Sequence, residues 1–188
     1  MPDHRNSLQR QLNRYYPPQS DPYHESNYAL SLKLDRIRHM LCNRKILDVG
    51  AGEIPFRTFY NGLDITTCDI QQNSKGTIDH IFPPGGTLPW PNNKFDAILL
   101  FDVLEHVKDD IAFIKECSRL LTPDGILVMS IPFMYRFHEQ PYDYRRYTPS
   151  GIIYLLSDVG GLKVDSIEPL GSVLFVVGQL LSERGFPL

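Results

Sequence analysis

The stretch Lys45-Ile46-Leu47-Asp48-Val49-Gly50-Ala51-Gly52-Glu53 is an apolar run that stops at a Gly-x-Gly turn. It reads as a first parallel strand opening into a ligand-binding loop. Glycines there permit a tight turn and a close backbone approach to a ligand, and the N–H groups of a following helix add donors at the strand end. A bare β-α turn gives the same short signal, so the flanking residues have to decide. A dinucleotide site wants a third glycine and room for a pyrophosphate. Here that position is Pro55, and Glu53 sets a carboxylate where phosphates would lie. The expected ligand carries positive charge and a ribose, and no phosphate.

Downstream, Asp64 to Ile70 reads as a second strand that ends in Asp69, 17 positions after Gly52. That is close to the spacing at which a strand-2 carboxylate meets a ribose. Asp64 competes for the role, but at 12 positions past Gly52 it leaves too little chain for a helix and a strand. Thr77 to Phe82 predicts a third strand, with Asp79 either near a base amino group or solvated in a loop. Phe95 to Phe101 is apolar over nearly its whole length, which marks a strand buried on both faces. Asp109 to Leu121 predicts a helix, Pro123-Asp124-Gly125 a turn, and Ile126 to Ile131 a fifth strand. Repeated β-α-β units make an α/β fold: a Rossmann-like open, mostly parallel sheet with helices on both faces and the ligand at the strands' carboxyl ends.

The flanks say less. Residues 1–44 read as a loosely ordered leader followed by a covering helix, Tyr28 to Leu41, with Leu30, Leu34, Ile37 and Leu41 on one face. Residues 45–188 form the main domain. Pro55 to Tyr60 predicts a short helix after the glycine loop. Thr148 to Ser157 is a helix with a capping hydroxyl and proline at its first position. Leu162 to Glu168 predicts a sixth strand, and the apolar tail Ser172 to Arg184 reads equally as helix or strand.

The 188 residues, 42% of them hydrophobic, suffice for one well-buried domain. A net charge of −3 supplies no broad basic surface, so nucleic acid is not an expected partner. Cys42, Cys68 and Cys117 show no C-x-x-C spacing and read as reduced core thiols of a cytoplasmic protein, with no metal site expected. No apolar run approaches the roughly 20 residues of a membrane span. Oligomeric state is left open.

Taken together, Ile46 to Gly52, Asp69, Leu88-Pro89-Trp90 through Phe95-Asp96-Ala97, Leu104-Glu105-His106-Val107 and Arg119-Leu120-Leu121-Thr122-Pro123-Asp124-Gly125 resemble class I S-adenosylmethionine-dependent methyltransferases, type 11-like. The later stretch His138 to Pro149 is similar to a subgroup associated with glycan gene clusters. The resemblance implies S-adenosylmethionine as cofactor and a small-molecule or glycan acceptor, methylated at oxygen. It places Gly50, Ala51 and Gly52 along the methionine half, Asp48 behind the ammonium group, Asp69 and Ile70 at the ribose, Asp79 toward the adenine, and Phe101 and Asp102 at the cleft edge. Glu105 and His106 recur near such clefts, His106 more often as a structural residue than as a base. The loop after the fifth strand is expected to hold the acceptor, with His138 as the candidate catalytic base and Tyr144, Arg145 and Arg146 binding substrate. One departure is that no seventh, antiparallel strand is evident, so the chain is either truncated or closed by an atypical element. A methyltransferase-like scaffold subunit without catalysis is the alternative reading, and an NAD-dependent oxidoreductase a distant third.

Overall fold

The computed structural model describes residues 24–53, 59–135 and 137–170. Its centre is a five-stranded sheet in the order β3-β2-β1-β4-β5, with every pair parallel. The strands are β1 (Lys45–Val49), β2 (Asp64–Asp69), β3 (His80–Ile81), β4 (Phe95–Phe101) and β5 (Leu121–Ser130). The two most apolar strands take the middle, and Ile46 to Val49 and Ala97 to Leu100 are buried on both sides. Leu47 lies between Thr66 and Ile98, which fixes the register of the three central strands. From β1 the chain builds outward through β2 and β3, then crosses back to lay β4 and β5 on the other side. The strand order therefore reverses between β1 and β4, and the loops after these two strands diverge from a common crevice.

β3 is shorter than the expected Thr77 to Phe82, because side chains take over its ladder. Asp79 Oδ2 accepts from both Thr67 N and Thr67 Oγ1 at 2.8 Å, and Asp79 N donates to Thr67 Oγ1 at 3.0 Å. Gln72 and Asn73 satisfy the next donors, Ile78 N and Thr77 N. With these groups paired, only His80 and Ile81 remain in the sheet.

One face of the sheet, with Leu47, Val49, Ile98 and Leu100, shares a core with Ile114, Cys117 and Leu120 of helix α2 (Asp110–Leu120). Helix α1 is His24–Leu41. Ile152 of α3 (Pro149–Tyr154) joins the same core, as do Leu155 and Leu156 of the π-helical turn that extends it to Val159. The cap read from the sequence forms, Thr148 Oγ1 accepting from Gly151 N at 3.1 Å, and Asp109, expected as the first residue of α2, caps it instead, its Oδ1 accepting from Ala112 N at 2.9 Å. Arg119 holds the approach to β4 by donating to the carbonyls of Leu88 and Trp90 and to Asn92 Oδ1, while Glu116 clamps its guanidinium. Thr122 to Gly125 is a bulge inside β5, since Phe95 pairs with Leu121 but Ala97 with Ile126.

Several expectations change. Helix α1 begins four residues before Tyr28, at His24. Leu162 to Glu168 is not a strand: Leu162 and Val164 pack on the core, but the backbone finds no ladder partner among the described residues. Cys42 is exposed; Cys68 and Cys117 are buried. Burial pushes the Cys117 thiol up to about 12 and Cys68 upward as well, the latter helped by the Asp48 and Asp69 charges. Most of the expected helix Pro55 to Tyr60, the leader up to Tyr23 and the tail 171–188 lie outside the described residues, and with them any closing strand. No helix among the described residues is long and apolar enough to cross a membrane.

The sheet belongs to one compact unit, Leu41–Ile54 with Gly62–Ile167. A second unit contains α1 up to Met40, residues 59–61 and Glu168 onward. Within that second unit, Arg38 donates to the carbonyls of Phe59 and Asn61 with its guanidinium 5.4 Å from the Phe59 ring centroid, and Lys33 pairs with Glu168.

Gly50 is where the two central loops touch. Its φ is +71°, and a Cβ there would lie 2.5 Å from Val103 Cγ2. Gly50→Ala is expected to cost about 1–3 kcal/mol, from the left-handed backbone and the overlap together. In urea unfolding the loss should shrink on a Val103→Ala background; an equal loss on both backgrounds would mean the contact is not felt.

Candidate functional site

The first half of the site is the loop that leaves β1, laid across the end of β2. Gly50 N and Ala51 N donate to Cys68 O at 2.9 and 3.2 Å. Gly52 N then donates to Asp69 Oδ2 at 2.8 Å, while Asp69 Oδ1 accepts from Ile70 N at 2.7 Å. Asn73 Nδ2 reaches Gly52 O at 3.1 Å, and Ser74 donates to Glu53 from its amide at 3.0 Å and its hydroxyl at 2.6 Å. These Ser74 bonds hold the Glu53 carboxyl below its ordinary range, so a negative charge stands beside the loop at neutral pH. A Cβ at Gly52, whose φ is +51°, would meet nothing within 4 Å among the described residues. Asn73 and Ser74 were not singled out in the sequence, because nothing in a polar turn marks which loop it will bond.

The structure places the expected cofactor residues unevenly. Asp48 is buried in β1, 3% exposed, between Thr67 and Leu99. Asp69 stands half-buried at the carboxyl end of β2, followed by exposed Ile70. Its competitor Asp64 pairs with Lys45 at the amino end, about 16 Å of strand away, on the wrong edge of the sheet. Asp79 is drawn off: its carboxylate braces Thr67 instead of pointing at an adenine pocket. Phe101 ends β4, and Asp102, at φ +53°, ties to β5 through Ser130 Oγ at 2.9 Å and Ser130 O at 3.0 Å.

The second half gathers after β4. Leu104–His106 is a single 3₁₀ turn, and it buries Glu105 completely, at 0% exposure. Neither Glu105 carboxyl oxygen has a hydrogen-bond partner among the described residues. Burial pushes this carboxyl up to about 8, with the Asp102 and Asp143 charges adding to the shift and Arg146 opposing it. Tyr144 N donates to Glu105 O at 2.9 Å, which stitches the loop after β5 onto this turn. His138 arrives on that loop. His106 Nε2 and His138 Nε2 stand 3.1 Å apart, and Glu105 Oε1 is 3.6 Å from the first and 3.7 Å from the second. No local spacing could reveal this meeting of residues 32 positions apart.

His138 is held from behind. Its Nδ1 lies 3.2 Å from Asp143 Oδ2, and Asp143, 1% exposed, is gripped by both terminal nitrogens of Arg146. The Arg146 bonds keep the Asp143 carboxyl ionised, far below the usual range. Arg146 also reaches Tyr135 O, while Arg145 pairs with Asp110 and donates to Lys108 O at 3.0 Å. Asp110 takes the Tyr147 hydroxyl as well, at 2.7 Å. Both guanidinium groups thus have carboxylate partners in the chain itself, Arg146 on Asp143 within the loop and Arg145 on Asp110 at the start of α2. Tyr144 keeps an exposed ring and remains a candidate for acceptor contact.

Comparison with known proteins agrees with this arrangement. Residues 47–129 match the family described as "Methyltransferase domain". A "Probable S-adenosylmethionine-dependent methyltransferase" of Mycolicibacterium smegmatis is 27% identical over 106 residues, covering 52% of this chain and 41% of that protein. A "Ubiquinone biosynthesis O-methyltransferase" of Actinobacillus pleuropneumoniae is 32% identical over 124 residues, covering 53% and 51%. The chain thus spans about half or less of the length of these relatives. In fold it is similar to a SAM-dependent methyltransferase from Aquifex aeolicus, with a TM-score of 0.55, 15% identity, and 82% and 85% of the two chains covered. The glycine loop on Asp69, the reversal of strand order beside it and this family match agree: through residues 47–129, the chain is similar to S-adenosylmethionine-dependent methyltransferases.

Proposed function

We propose that this chain moves a methyl group from S-adenosylmethionine to a hydroxyl oxygen of a small-molecule or glycan acceptor. The observation that carries the reading is the Gly50–Gly52 loop bonded to Asp69 at the reversal of strand order. The residues present fit the cofactor. Each Asp69 oxygen uses one of its lone pairs on a backbone amide, which leaves capacity for a ribose diol. The open space at Gly52 would admit a ligand that a side chain would displace. Negative charge from Asp48 and Glu53 suits an ammonium and a sulfonium and opposes a pyrophosphate. When bound, the cofactor supplies an electrophilic methyl group.

The acceptor's activation falls to the chain's own side chains. A hydroxyl is a poor nucleophile until its proton leaves, and the Glu105, His106 and His138 cluster offers basic atoms on the carboxyl side of the sheet where that proton can be drawn off. The Actinobacillus relative's name specifies transfer to oxygen, which supports a hydroxyl acceptor here. The net charge of −3 supports a small acceptor over nucleic acid. Two buried thiols of raised pKa, Cys68 and Cys117, fit a reducing compartment, and the cytoplasm is the one proposed.

Calorimetric titration with S-adenosylhomocysteine and, separately, with NAD tests the cofactor. Binding of the first and not the second is expected; the reverse would overturn the reading. Asp69→Ala should weaken S-adenosylhomocysteine binding by about 1–3 kcal/mol with cooperative unfolding retained, and unchanged affinity would remove Asp69 from the ribose.

Transfer of labelled methyl to a panel of phenols, sugars and carboxylic acids tests the acceptor. For hydroxyl acceptors, His138→Ala should lower turnover by about 10²–10⁴-fold with cofactor affinity kept. Near-normal turnover would take His138 out of the chemistry, and cofactor binding with no transfer to any class would favour the scaffold reading.

A further inference from the structure

The unusual feature of the site is that atoms bearing lone pairs face one another across it. His106 Nδ1 lies 3.1 Å from Tyr142 O, an acceptor, so the neutral ring carries its proton there and turns the Nε2 lone pair inward. His138 Nδ1 faces the Asp143 carboxylate, a pure acceptor that Arg146 keeps ionised, and the same logic turns its Nε2 inward. The two Nε2 atoms then meet at 3.1 Å, with Glu105 Oε1 closing the triangle at 3.6 and 3.7 Å. Glu105 is fully buried, and both its oxygens lack hydrogen-bond partners among the described residues. Glu139 Oε2 approaches His106 Nε2 to 3.8 Å from the exposed side, adding a second carboxylate. Such a set repels itself unless something positive sits inside.

The size of the gap says what fits. A circle through three atoms separated by 3.1, 3.6 and 3.7 Å has a radius of about 2.0 Å, the bond length that Zn²⁺ makes to imidazole nitrogen and carboxylate oxygen. The outer partners fit as well, because metal-bound histidines donate their other nitrogen to a carbonyl or a carboxylate, as His106 does to Tyr142 and His138 to Asp143. From this juxtaposition we propose that Glu105 Oε1, His106 Nε2 and His138 Nε2 form a binding site for a divalent transition-metal cation of the Zn²⁺ class. Three protein ligands leave a coordination position for an oxygen ligand, such as water or the acceptor hydroxyl. The site deepens the methyl-transfer reading and rests on it for its use, with His138 contributing to activation as a ligand. Cation binding itself is independent of that reading.

The test uses the full chain, stripped with a chelator and dialysed. Zn²⁺ binding is measured by calorimetry and by metal analysis after gel filtration, and Co²⁺ serves as a spectroscopic probe of the wild type. One Zn²⁺ per chain is expected, with affinity at least 100-fold weaker in His106→Ala and in His138→Ala. S-adenosylhomocysteine affinity should stay within about twofold in both variants. The Co²⁺ complex should show the intense visible absorption of a low-symmetry four- or five-coordinate site, a readout that depends on no variant. Weak or superstoichiometric binding that both variants retain, or a Co²⁺ spectrum like that of the hydrated ion, would overturn the proposal and leave a shared proton as the positive centre. Loss of S-adenosylhomocysteine binding with Zn²⁺ binding intact would overturn the methyl-transfer reading alone.

Discussion

The arrangement depends on one close approach. Gly50 ends β1 in a left-handed turn with no side chain, and Val103 from the loop after β4 packs into the space a Cβ would fill. That contact lets the loops of the two central strands start side by side and then part in opposite directions. The crevice follows from a parallel sheet whose strand order reverses at this point. The loop after β1 then reaches the end of β2, where Asp69 receives Gly52 N. The turn after β4 buries Glu105 and meets the loop after β5.

Electrostatics divides the site in two. On the β1–β2 side the Asp69 and Glu53 carboxylates accept from backbone amides and a hydroxyl, and the Ser74 bonds hold Glu53 in its charged form. On the β4–β5 side, Glu105 is sealed from water and lacks a donor. The loop that seals it is held by Arg146 on Asp143 within it and by Arg145 and Tyr147 on Asp110 of α2. Exposed pairs of this kind contribute little to stability. Asp143, though, is almost fully buried and doubly bonded to Arg146, and it works by orienting the His138 ring. The arginines thus bear on the site through their carboxylate partners.

Much was legible in the chain before any coordinates. Apolar runs of strand length, a Gly-x-Gly stop, an acidic residue at the second strand's end and a capping hydroxyl at Thr148 are local signals, set by backbone sterics and side-chain periodicity within a few residues. They placed four of the strands, helix α2 and the start of α3, and they identified Asp69 and the glycine loop. Where the reading slipped, a side chain or a distant partner was in control. Asp79 captured Thr67 and cut β3 short, and Leu162 to Glu168 kept its apolar positions but finds no strand to pair with among the described residues.

The sequence by itself determined the α/β class, the glycine turn that ends β1 and the acidic residue that ends β2, because each rests on short-range geometry within a few positions. Only the tertiary structure decided that Arg145 reaches back to Asp110 and that His138 converges on Glu105 and His106. Those meetings join residues more than thirty positions apart, and they come about because the turn after β4 and the loop after β5 leave neighbouring parallel strands at the same edge of the sheet.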